Sequence, residues 1–169
     1  MIMKTVINIK ERENAIKDVD AFRKKKYEGK DVRFANVNMV DLNKILSKPI
    51  FSKNDLFISS ETLWEIMQPL GNTGAHNYHE LTPEDIVDSL NSITNPYALF
   101  ETKHSRYAII TTIISHYNEP LLFIIEIGSG LHVNIKANIN KIVTIYPKSN
   151  VDIMLKGLDP NDILFVKTK

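Results

Sequence analysis

A chain of 169 residues that is 43% apolar and 24% charged is long enough for one domain with a substantial core, and its composition is that of an ordinary globular protein. It holds no apolar run long enough for a membrane span, no apolar signal core near its start and no cysteine, so disulfides, thiolate metal ligands and a cysteine nucleophile are excluded and a cytoplasmic location is the expectation. The net charge of +1 conceals a split: residues 1–55 carry 13 Lys/Arg against 8 Asp/Glu, residues 56–169 carry 8 against 12, and only Lys103 and Arg106 are basic between 56 and 134, which excludes a broad nucleic-acid footprint on that part.

Residues 1–10 suit a short strand. Residues 13–27 predict a helix with an apolar seam of Ile16, Val19 and Phe22, cations at its C-terminal end and Gly29 as its stop. The run RKKKYEGK has two readings. Arg23, Lys24, Lys25 and Lys26 are either a solvated helix end that suits the dipole, or an arm for nucleic acid. A second short helix is expected around MVDLNKILS, and SKNDLFISS reads as a linker. The expected organisation is therefore a basic, partly helical extension at 1–55 and a main domain at 56–169.

SSETLWEIMQPLG predicts a capped helix ending at Pro69–Gly71, and NTGAHNYHE a loop. TPEDIVDSL is a strong helix start: Thr82 as cap, Pro83 at the first position, Asp85 three residues after the cap. After Pro96 the runs YALFET, RYAIITTIIS, PLLFIIEIG, NKIVTIYP and DILFVKT are rich in β-branched and aromatic residues. HYNE joins two of them as a hairpin, and a brief helix is expected within 149–158. The class is α+β, with N-terminal helices packed on one face of a four- to five-stranded antiparallel sheet.

No Gly-rich phosphate loop, HExxH or GxSxG occurs. His76 and His79 lie three apart but bring no third ligand, so no metal is expected. His79 stands two residues ahead of a rigid helix start, and it reads either as an exposed loop residue or as a catalytic group.

Five pieces in order resemble the C-terminal domain of phage MuF-type and polyvalent proteins, a group assigned to the barnase/EndoU/colicin/RelE-like nuclease superfamily. They are LWEIMQPLG, HELTPEDIVDSLNSITNPYALF, YAIITTIISHYNEPLLFIIEI, INKIVTIYPKSN and LKGLDPNDILFVKTK, about two-thirds of the chain. Two departures stand out: Thr144 replaces the family's serine, and the segment ahead of His79 is short.

The resemblance implies metal-independent, cofactor-free RNA cleavage by attack of a ribose 2′-hydroxyl on the adjacent phosphate. Histidine suits the proton transfer, and cations with a hydroxyl suit the crowded phosphorane. It casts His79 as acid or base, Thr144 as phosphate positioner, Lys148 as charge stabiliser, and Tyr146 as a stacking or proton-transfer group. Residues two apart on a strand share a face, which would align Thr144, Tyr146 and Lys148. Arg106, with Lys103 near it, is a further candidate for the phosphate. The implied partner is RNA, with tRNA as one candidate, or a host or immunity protein. The competing expectation is a non-catalytic phage protein that inhibits a host defence or nucleic-acid-handling protein, because nine Asp/Glu face two Lys/Arg across 56–134.

Overall fold

The β-branched runs after Pro96 pair as an antiparallel sheet. In the computed structural model, which describes residues 2–4, 9–35, 37–53, 55–71, 77–103, 106–128 and 139–167, these runs form β4 (Ala98–Glu101), β5 (Arg106–Ile114), β6 (Pro120–Gly128) and β7 (Ile139–Pro147). β8 (Ile163–Val166) pairs with β4. HYNE is the β5–β6 turn. Ser115, just ahead of it, donates its N–H to the Glu119 carbonyl at 2.8 Å, and Asn118 adopts the left-handed φ of 61° that asparagine tolerates.

Among the described residues the sheet has eight strands rather than four or five, in the order β1–β2–β3–β7–β6–β5–β4–β8. The extra three come from the N-terminal segment: β1 (Ile2–Lys4), β2 (Asp31–Ala35) and β3 (Leu56–Ser59). β3 lies inside the stretch read as a linker. It runs parallel to β7, with Leu56–Ile58 against Asn140–Ile142. The fully buried Asn140 side chain bonds both backbone groups of Ser52, at 3.0 and 2.8 Å, and so fixes the approach to that strand.

α1 (Ile9–Lys24) starts earlier and ends earlier than its apolar seam predicted, and MVDLNKI is a 3-10 helix, Met39–Ile45. α2 (Ser60–Glu65) is capped by Ser59, whose hydroxyl accepts from Thr62 N–H. α3 (Pro83–Ser92) has both halves of its capping box. α4 (Val151–Lys156) precedes β8.

Strand alternation divides the core. Leu99 joins a large cluster with Val19 and Phe22 of α1, Leu63 of α2, and Ile86 and Leu90 of α3. Its neighbours Ala98 and Phe100 join a smaller cluster with Leu155 of α4. Each fully buried large apolar side chain contributes about 1.5–3 kcal/mol, so the large cluster dominates. Arg12 ties α1 to α3 by a two-pronged pair with Asp88, at 2.7 and 2.9 Å. Among the described residues no helix is long and apolar enough to cross a membrane.

Candidate functional site

His79 lies in the loop between α2 and α3, and the residues after it are pinned. Glu80 N–H donates to the Gln68 carbonyl at 2.9 Å, and Leu81 N–H to that of Ile66 at 3.0 Å. Leu81 is buried and Thr82 begins the capping box. Glu80 is held at φ 50°, an uncommon conformation for a residue other than glycine. The chain therefore presents His79 from a rigid mount.

Its ring meets Tyr146 near the end of β7, with centroids 5.6 Å apart at 40°. Two features of β7 make this meeting possible. The β3 pairing stops at Ile142, which leaves the strand's other edge without that neighbour. The register against β6 also slips by one residue: Ile124 faces Thr144 while Ile125 faces Ile142. The bulge at Val143 shifts the alternation. Ile142 and Ile145 both enter the large core, and Tyr146 packs against the smaller cluster.

Leu70, His79, Tyr117, Glu119, Tyr146 and Pro147 line a cleft of about 280 Å³ open to solvent. Both rings are half-buried. Burial lowers the His79 pKa from its ordinary 6.5, so near neutral pH the imidazole is neutral and able to accept a proton. Burial raises that of Tyr146, which keeps the phenol protonated as a hydrogen-bond donor.

The other expected residues are placed differently. The Thr144 hydroxyl is buried without a hydrogen-bond partner among the described residues, and Thr144 is not part of the cleft wall. Lys148 lines a neighbouring groove of about 670 Å³, together with Tyr97, Thr111 and Asn150. The two spaces share Glu119, and Pro147 of one precedes Lys148 of the other. Arg106 pairs with Glu126 at 3.6 Å at the start of β5. At about 3.4 Å per residue it lies roughly 27 Å along the strand from the turn that borders the cleft. Lys103, just ahead of it, is exposed at that same far end. The structure brings neither cation to His79.

The basic arm divides. Arg23 and Lys24 both pair with Asp20, at 2.6 and 2.9 Å. Lys25 and Lys30 rest on the Tyr27 ring, at 5.2 and 5.3 Å, and Lys26 on Trp64 at 5.2 Å. Trp64 in turn meets Tyr78 edge to face at 5.7 Å, and Tyr78 adjoins His79 in the chain.

One pair was not legible in the sequence. Asp85, only 7% exposed, accepts three N–H bonds in addition to its backbone role in the cap. One comes from Thr82 N–H at 3.2 Å, one from His116 N–H at 3.0 Å and one from His116 Nδ1 at 2.5 Å. The His116 ring stacks on Tyr117 with centroids 4.0 Å apart. The Tyr117 hydroxyl donates to Glu80 Oε2 at 2.9 Å. Burial, followed by Glu80, pushes the Tyr117 pKa up to about 12. A Glu80–Tyr117 bond thus links the two residues that follow the two histidines. His76, the other half of the three-residue His spacing, lies outside the described residues.

Residues 71–169, more than half of the chain, match the family model described as the phage MuF C-terminal domain. No curated protein and no solved structure matches. The matched segment includes every wall residue of the cleft except Leu70, together with Asp85, His116 and Lys148.

Proposed function

The chain belongs to the phage MuF C-terminal domain family, and on that premise we propose that its His79 cleft cleaves RNA without a metal, by attack of a ribose 2′-hydroxyl on the adjacent phosphate. Membership of the wider barnase/EndoU/colicin/RelE-like nuclease superfamily is part of the same proposal. The observation that carries it is the His79–Tyr146 pair: a desolvated, proton-accepting imidazole set against a protonated phenol in an open cleft. His79 takes the 2′-hydroxyl proton. Tyr146 donates a hydrogen bond to a phosphate oxygen or stacks on a base. Lys148 supplies positive charge from the adjoining groove to a substrate that spans both spaces.

The test is incubation of the pure protein with total tRNA in EDTA, beside His79→Ala. Loss of the proton acceptor is expected to slow cleavage by about 10²–10⁴-fold. Intact tRNA at high wild-type enzyme, or equal cleavage by the variant, contradicts the reading.

A second reading keeps the fold and drops the chemistry: a phage protein that binds and inhibits a basic host defence or nucleic-acid-handling protein. The acidic balance of residues 56–134 favours it. It predicts one stoichiometric host partner whose binding survives His79→Ala and weakens with salt.

A further inference from the structure

Cleavage by 2′-hydroxyl attack needs two proton transfers, one away from the nucleophile and one to the leaving 5′-oxygen. His79, neutral because it is desolvated, fills the first role. Tyr146, set against His79, is assigned above to a phosphate oxygen or a base, and neither Thr144 nor Lys148 fills the second role. Thr144 buries its hydroxyl outside the cleft, and Lys148 faces the neighbouring groove. The Tyr117 phenol is engaged with Glu80.

We propose that His116, held by Asp85 at the β5–β6 turn, is the second proton-transfer residue of this cleft and protonates the departing 5′-oxygen. The assignment rests on the ribonuclease reading above. Three observations support it. The Asp85 carboxylate takes the Nδ1 side of the ring, so proton exchange with a substrate runs through Nε2. A second bond, from the His116 backbone N–H to the other Asp85 oxygen, fixes the residue as well as the ring. The His116 ring stands beside the cleft rather than in its wall, but it is 40% exposed and lies 4.0 Å, centroid to centroid, from Tyr117, which is a wall residue. The His116 ring meets Asp85 from α3 and Tyr117 from its own turn, and Glu80 joins through the Tyr117 hydroxyl.

The step balances. The 2′-oxygen forms a bond to phosphorus as His79 takes its proton. The bond from phosphorus to the 5′-oxygen breaks as His116 Nε2 gives up a proton to that oxygen. The products are a 2′,3′-cyclic phosphate and a free 5′-hydroxyl, and the two imidazoles exchange protons with water to reset.

Two substrates separate this role from a structural one. The dinucleotide uridylyl-3′,5′-adenosine needs its leaving oxygen protonated, whereas uridine 3′-(4-nitrophenyl phosphate) releases a stable phenolate that does not. His116→Asn keeps an N–H where Nδ1 stood and the backbone N–H, and removes Nε2. It is expected to lose about 10²-fold or more on the dinucleotide and to stay within about threefold of wild type on the nitrophenyl ester. His79→Ala is expected to lose both. A His116→Asn variant that slows both substrates alike, or neither, overturns the assignment and leaves the His79 reading standing. Wild type that cleaves neither substrate removes both. Should the variant melt early, His116→Gln assayed below its melting temperature is read by the same two outcomes.

Discussion

At the residue scale, the chemistry turns on how burial acts on one imidazole. Desolvation disfavours the charged ring, so His79 titrates below its ordinary 6.5. The sign of the linkage follows. Below about pH 6.5 the unfolded chain binds a proton that the folded chain refuses. The His79 contribution is therefore fully present above that pH, and it is lost as pH falls through the lowered folded value. An NMR titration of the His79 ring should give a midpoint below 6.5, and the acid limb of kcat/KM for RNA should coincide with it. His79→Gln should flatten the fall in stability through that window. A midpoint at or above 6.5 would show the ring to be solvated or paired with an anion, and the proton-acceptor role would lose its basis.

At the element scale, α3 illustrates what a sequence can disclose. Its cap, first-turn proline and apolar stripe are local signals within ten residues, and each is present in the fold. The second task of Asp85 is not local. Its partner His116 is 31 residues away, and only the β5–β6 hairpin brings it back to the helix start. A cap that already accounts for a carboxylate gives no reason to look for another partner. β7 carries the same lesson. Uninterrupted alternation aligns Thr144, Tyr146 and Lys148, but the bulge at Val143 depends on pairing with β6 and has no signature in NKIVTIYP. The two tasks of Asp85 predict unequal losses. Thr82→Ala removes one capping bond, worth about 1 kcal/mol. Asp85→Ala leaves two part-buried backbone N–H donors, of Thr82 and His116, without their acceptor and frees the part-exposed His116 ring. An unpaired buried donor costs about 1–3 kcal/mol, so urea unfolding should show the Asp85 variant to be the weaker by at least about 1 kcal/mol. Equal losses would mean that the His116 bonds contribute nothing to stability.

At the scale of the whole molecule, β5, β6 and β7 were readable because each is a nine-residue run rich in β-branched residues, and the four-residue β4 and β8 because aromatic and aliphatic residues follow a turn signal. β1 falls within the short strand expected at residues 1–10, but β2 and β3 were not readable, because each is defined by its partners, and Leu56 finds its partner Asn140 across about half of the chain. That non-local pairing also bears on function. It carries the N-terminal segment alongside the sheet and sets the basic run beside Trp64, Tyr78 and the His79 loop. Within that run the cations are not equivalent. Arg23 and Lys24 share the one carboxylate of Asp20, whereas Lys25, Lys26 and Lys30 have no carboxylate partner among the described residues and are steadied on aromatic rings instead. Each ammonium that contacts a phosphate of single-stranded RNA contributes about 0.7 to the slope of log K against log salt. Changing Lys25, Lys26 and Lys30 together to Gln should therefore lower that slope by about 2 and weaken binding of a long single strand. Turnover of a dinucleotide, which is too short to reach the arm, should be unaffected. Arg23→Gln with Lys24→Gln should change the slope by less, because Asp20 already offsets one of those two charges. A slope that the triple variant leaves unchanged would assign these lysines to solubility and helix termination, and would leave the cleft to bind RNA through Lys148 and its own walls.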